Sequence, residues 1–261
     1  MQRLRCTHRN RYHEDMTHLA WHNSPDLKAE VITRLRQHRT EDSIVKGRYQ
    51  ELDPHVASGY RGCAIGCTLP HLDQDPASWH ARVEELYGIP RTVAWLIDGI
   101  FENLPTVDDA HATFAVGVID AVPVGADLSL VTARMMLDLL ADPDSGVVRY
   151  TESGSRQRTA VDTVIALYRR QLDGEEITRE EWTDYAADAA ADAAYAAYAV
   201  DYAAAAADAA DYAAAAADAA DYAADAAAAA DAADAARRCH RTWQAERLIH
   251  HLTTAPIGVT A

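Results

Sequence analysis

Between Thr183 and Ala236, 35 of 54 residues are alanine, and neither glycine nor proline occurs between Gly174 and Pro256. Alanine gives up no side-chain entropy in a helix, so a run of this composition favours that state over any other regular structure. Thr178-Arg-Glu-Glu181 is a capping box that places the start. The expectation is helix from 178 to about 252, as one rod or as broken segments. A single rod would be roughly 110 Å long, beyond the diameter of an ordinary domain.

On a wheel of about 100° per residue, Tyr195, Tyr198 and Tyr202 share one side. Asp201, Asp208, Asp211, Asp218, Asp221 and Asp225 take the other. The unit YAAAAADAAD occurs at 202–211 and again at 212–221; ten residues fall about 80° short of three turns, so Tyr212 and Tyr222 drift off the first face. Such a surface permits close helix approach but contributes little area, so at least one side is expected to pack on other helices of this chain or of a second copy. An arm lengthened by tandem duplication explains the repeat without any recognition role. A nucleic-acid-like acidic face fits poorly, because the aspartates are sparse compared with phosphates.

The region before it carries ordinary amphipathic periods. Ser24-Pro25 caps a helix with Leu27, Val31, Ile32 and Leu35 on one face. Asp75-Pro76 starts another through Trp79, Val83 and Leu86, stopped by Gly88. Pro90 opens a third through Val93, Leu96, Ile97, Ile100, Phe101 and Leu104. Thr106 to Asp109 reads as a capping box, Asp127 as the cap of a helix through Val131, Met135 and Leu139, and Val161 to Leu172 as a further helix. Val147 to Tyr150 is the one expected strand. Trp243, Leu248 and Leu252 restore an apolar face that docks on the globular part. The fold class is all-α: a multi-helix globular part followed by a long alanine-rich helix packing back on it. The divisions are a flexible 1–15 with Met16 a candidate start, a globular 16–173, an alanine-rich 174–255 and a tail 256–261.

Net charge is -16, but its distribution matters more than its size. Residues 171–236 hold sixteen acids and one arginine, whereas residues 1–60 hold ten Lys or Arg, eight acids and six histidines. The front of the chain is therefore open to an anionic ligand. Four cysteines, two of them close together, do not make a disulfide framework and fit a reducing compartment. No apolar run is long enough for a membrane span and the first residues lack a signal-peptide pattern, so a cytoplasmic location without membrane partners is expected.

The sharpest local signal is Gly62-Cys-Ala-Ile-Gly-Cys-Thr68. If helical, Cys63 and Cys67 lie on one face, and with His71 and His38 they would complete a zinc site. A thiol pair also suits redox or nucleophilic chemistry. The plain alternative is a close-packed buried segment of small side chains, with cysteine acting as a small hydrophobe. Upstream, Lys46, Arg48 and Tyr49, with Arg61, could hold a phosphate or nucleobase by charge and stacking, or form a surface loop.

The stretches "LAWHNSPDLKAEVITRLRQHRTEDSIVKGRYQ", "GCAIGCTL", "ELYGIPRTVAWLIDGIFENLP" and "AVPVGADLSLV" resemble an uncharacterised family of bacteria and tailed phages over about residues 16–170. The segment from "GEEITREEW" to "RTWQAERLIHHL" is similar to alanine-rich segments of immunity-protein-like phage and bacterial proteins. The resemblance implies no activity or catalytic residue. Together these readings give a phage-encoded helical binding protein that sequesters a small nucleotide-type ligand or a host protein to antagonise host defence. The alternatives are a thiol- or metal-dependent enzyme centred on Cys63 and Cys67, and a structural protein self-associating through the alanine-rich helix.

Overall fold

A computed structural model describes residues 19–73, 75–178, 181 and 219–258, with backbone only for 219–234. Those residues are mainly helical, as the periodicities require. In chain order the elements are α1 (Pro25–Thr40), β1 (Glu51–Leu52), β2 (Tyr60–Arg61), α2 (Ala64–Thr68), α3 (Trp79–Tyr87) and α4 (Arg91–Asn103). They continue with α5 (Ala110–Asp120), α6 (Val131–Ala141), α7 (Arg156–Leu172) and α8 (Ala219–Thr253). The antiparallel pair β1–β2, in register Glu51 to Arg61 and Leu52 to Tyr60, was not foreseen. Tyr195, Tyr198, Tyr202 and the two ten-residue repeats as far as Asp218 lie outside the described residues.

Several boundaries follow from cap chemistry. Ser24 Oγ accepts the Leu27 amide at 3.2 Å and Pro25 occupies the first helical position. Gly88 ends α3 in the left-handed region, φ 64°, where a side chain is disfavoured. Thr178 and Glu181 exchange the reciprocal capping-box bonds, 3.1 Å and 2.9 Å. Four expected features differ. Asp127 does not cap α6, which begins at Val131 after Leu130, because its Oδ1 accepts the Ser129 amide in a local turn. Helix α3 begins at Trp79, because Ser78 rather than Asp75 accepts a first-turn amide. Thr106 makes no cap bond, and left-handed Asp108 and Asp109 delay α5 to Ala110. Val147–Tyr150 is a 3-10 turn, not a strand; among the described residues nothing pairs with it as a strand.

The core is built by α1 to α6, with Leu35, Ile65, Val93, Ile97, Phe101, Ile119 and Met135 sealed from solvent. The carboxyl half of α8 docks on α4, α5 and α6 through Leu248 and Leu252, both fully buried. Trp243 is only half buried and stacks on His240. Asp138 on α6 fastens this helix by accepting from Arg247 Nε at 2.8 Å and approaching His251 Nε2 at 2.7 Å. The start of the described chain is pinned to the same end: Ala20 donates to Ala126 O, Gly125 to Ala20 O, and Gly258 to Gly125 O. No described helix is long and apolar enough to cross a membrane.

Candidate functional site

The two glycines of GCAIGC are dictated by a backbone crossing. A Cβ at Gly62 or Gly66 would sit 1.9 or 1.4 Å from the Tyr49 carbonyl oxygen, so no other residue lets 46–50 pass across the start of α2. The crossing is then bonded in place. Cys63 N–H donates to Arg48 O at 2.7 Å, and Gln50 Nε2 donates to Gly66 O and Pro70 O at 2.8 and 2.9 Å. Tyr49 is thereby held beside Cys63.

Cys63 does not enter the helix. It is the N-cap of α2, in extended conformation, and its sulfur accepts the Gly66 amide at 3.5 Å. Cys67, one turn further, directs its thiol to the carbonyls of Gly62 at 3.2 Å and Ser43 at 3.8 Å. The equal spacing in sequence therefore yields two different environments.

Helix α4 presents Asp98 and Glu102 one turn apart. Asp98 Oδ2 accepts from Tyr49 Oη at 3.0 Å and lies 3.0 Å from His80 Nε2. Both Glu102 oxygens accept the Gly47 amide, at 3.1 and 3.0 Å. Cys63 Sγ and one carboxylate oxygen from each acid lie within 4.8 Å of one another. They open onto a cleft of about 340 Å³ whose remaining wall is Gly47, Arg48 and Tyr49. The two partners of Asp98 are each stacked: Tyr49 on Trp79, centroids 5.1 Å apart, and His80 on Trp95 at 4.5 Å.

Burial, reinforced by the Asp98 charge, raises the Tyr49 phenol well above its ordinary value, so it stays neutral and donates. Burial likewise raises the Cys63 thiol and pushes Cys67 up to about 12. Neither sulfur is a thiolate nucleophile at neutral pH in these surroundings. A cation placed among Cys63, Asp98 and Glu102 reverses that balance, because its charge favours the deprotonated thiol. The donor set suits a borderline-soft divalent ion such as zinc, for which ligand atoms about 3.5 Å apart are needed.

Of the residues expected at a site, Arg48, Tyr49 and Cys63 line the cleft. Lys46 lies near it but donates to Glu102 O at 3.1 Å and to Leu104 O. Arg61 turns to Glu51 at 2.8 Å and Asp53 at 4.0 Å. The expected zinc quartet does not assemble: Cys67, His71 and His38 form no ligand cluster with Cys63 among the described residues. His38 is buried with Nδ1 at 2.8 Å from Ser43 Oγ, and His71 packs on the Tyr60 ring. The quartet assumed a helical Cys63, whereas the cap conformation turns its sulfur toward α4 instead. Asp98 and Glu102 were missed, although acids four apart on an otherwise apolar helix are a usable signal. Comparison with models of known protein families, with curated proteins and with solved structures finds no match for this chain, and so nothing that bears on the family resemblance.

Proposed function

We propose that the protein is a metal-dependent enzyme whose centre is Cys63, Asp98 and Glu102, with the adjoining cleft receiving the substrate. The observation that supports this reading is the convergence of one thiol and two carboxylates on an open cleft, within 4.8 Å. Three protein ligands with a remaining open position are the arrangement of catalytic rather than structural zinc. A thiolate among the donors selects zinc or another soft transition ion over magnesium or calcium.

The chain already provides outer support for all three ligands, the Gly66 amide donating to Cys63 Sγ. Tyr49 Oη and His80 orient Asp98, and the Gly47 amide orients Glu102. Such contacts fix ligand orientation, and their removal commonly costs about 10–100-fold in metal affinity. When bound, the ion supplies Lewis-acid chemistry, activating water or polarising a carbonyl or phosphoryl oxygen. Arg48 at the rim is itself paired with Glu51, so a substrate anion would have to share that guanidinium. Anion binding by the full set Lys46, Arg48, Tyr49 and Arg61 has less support, since Lys46 and Arg61 spend their charges within the chain.

Metal analysis and chelator competition on the full chain test the reading. About one equivalent of zinc is expected, with Cys63→Ser and Glu102→Gln each weakening binding by roughly 10-fold or more and Cys67→Ser leaving it unchanged. Less than a tenth of an equivalent, with no competition by zinc, iron(II) or manganese, would remove it.

A further inference from the structure

A second cleft, of about 440 Å³, lies between α7 and the turn at Val147–Tyr150. Arg158, Asp162, Ile165 and Arg169 occupy one face of α7, at i, i+4, i+7 and i+11. Arg149 faces them from the turn, and Val148 and Ile165 supply apolar wall. Three arginines and one aspartate thus line the cleft, with Arg158 paired to Asp162, in a chain whose overall charge is -16.

The donor inventory indicates what is missing. The Arg158 side chain commits Nε to Asp162, at 3.0 and 3.1 Å, and makes no other hydrogen bond among the described residues. Arg149 gives Nη1 to Asp144 O at 2.7 Å. The Arg169 side chain has no hydrogen-bond or ion-pair partner among the described residues. Each guanidinium carries five N–H donors in a planar fork suited to phosphate oxygens, so most of the donors in this cleft are unspent. The excess of two positive charges matches a phosphomonoester, which carries about -1.5 to -2 near neutral pH. A single carboxylate would leave the cleft half compensated.

We infer that this cleft binds a small phosphomonoester, the phosphate held by Arg149, Arg158 and Arg169 and an apolar substituent lying against Val148 and Ile165. The volume is within the range of small-ligand sites. The site shares no residue with the Cys63 cleft and does not depend on the metal reading.

Titration of the full chain with phenyl phosphate, inorganic phosphate and benzyl alcohol, followed by calorimetry and NMR, tests it. Phenyl phosphate is expected to bind saturably, inorganic phosphate several-fold more weakly, and benzyl alcohol not at all. Arg149 and Arg169 are exposed, so the double variant Arg149→Gln/Arg169→Gln should fold and lose at least about 10-fold in affinity. Asp162→Asn, which frees Arg158 and removes the one negative charge, should bind more tightly. No saturable binding at roughly 10 mM phenyl phosphate, or equal affinity in the double variant and the parent, would overturn the inference.

Discussion

The two clefts oppose each other in charge and in construction. At the Cys63 cleft the donors are two acids and a thiol, each held by a neighbour: Asp98 by Tyr49 and His80, Glu102 by Gly47, Cys63 by the α2 amide. At the arginine cleft the charges are positive, Arg149 and Arg169 are exposed, and most donors have nothing to hold. The first is backed by a backbone crossing that leaves no room for a side chain at Gly62 or Gly66. The second rests on one helix face and a short turn, so its geometry tolerates change. Clefts of opposite sign on one acidic chain suit different ligands: a cation for the first and an anion for the second on the two proposals.

The largest expected effect breaks the crossing. Gly66→Ala drives a methyl into the Tyr49 carbonyl; overpacking of this kind costs about 3 kcal/mol or more, read as a lower denaturant midpoint together with lost metal binding. Gly99→Ala, beside Asp98 but with nothing within 4 Å, should instead stabilise by about 0.5–1 kcal/mol through helix propensity. If both substitutions behave alike, the crossing does not hold the site.

Acid should act through groups outside both clefts. Burial lowers the pKa of His38 and of His251 from 6.5, the Asp138 contact offsetting part of the latter. The unfolded chain then takes up protons that the native one resists. The stability these histidines support is complete above about pH 6.5 and is lost as pH falls through their lowered values. Thermal unfolding between about pH 8 and pH 5 should show the decline, and replacing both with Gln should flatten it.

Salt sharpens the contrast further. Phosphate binding by exposed arginines should weaken several-fold between about 0.05 and 0.5 M salt, as charge screening shortens to a few Å. Metal affinity at Cys63, Asp98 and Glu102, which are buried or partly buried, should change less in the same series. The smallest effect is the exposed ion pair of Arg36 with Asp120, 3.1 Å: Arg36→Ala should alter stability by less than about 0.5 kcal/mol in equilibrium unfolding.

Most helices were legible because apolar periodicity and cap residues agree, as at Ser24-Pro25 and Gly88. Starts at Asp75, Thr106 and Asp127 misled. Asp127 Oδ1 accepts the Ser129 amide in a local turn, and local bonding by a short polar side chain competes with capping. The GCAIGC segment was legible as tight packing, but not as a slot for Tyr49, since the partner comes from thirteen residues before Gly62. Spacing alone likewise cannot distinguish a cap from a first helical turn, which is what separates Cys63 from Cys67. Asp98, Glu102 and Arg169 became site residues through tertiary placement that no local pattern encodes.

X-ray absorption on the full chain loaded with one equivalent of zinc or cobalt reads the ligand atoms at the metal directly. The account predicts one sulfur at about 2.3 Å with the remaining shell oxygen, the sulfur vanishing in Cys63→Ser and persisting in Cys67→Ser. A shell of two sulfurs, a histidine-dominated shell, or a spectrum indifferent to Cys63 would contradict it.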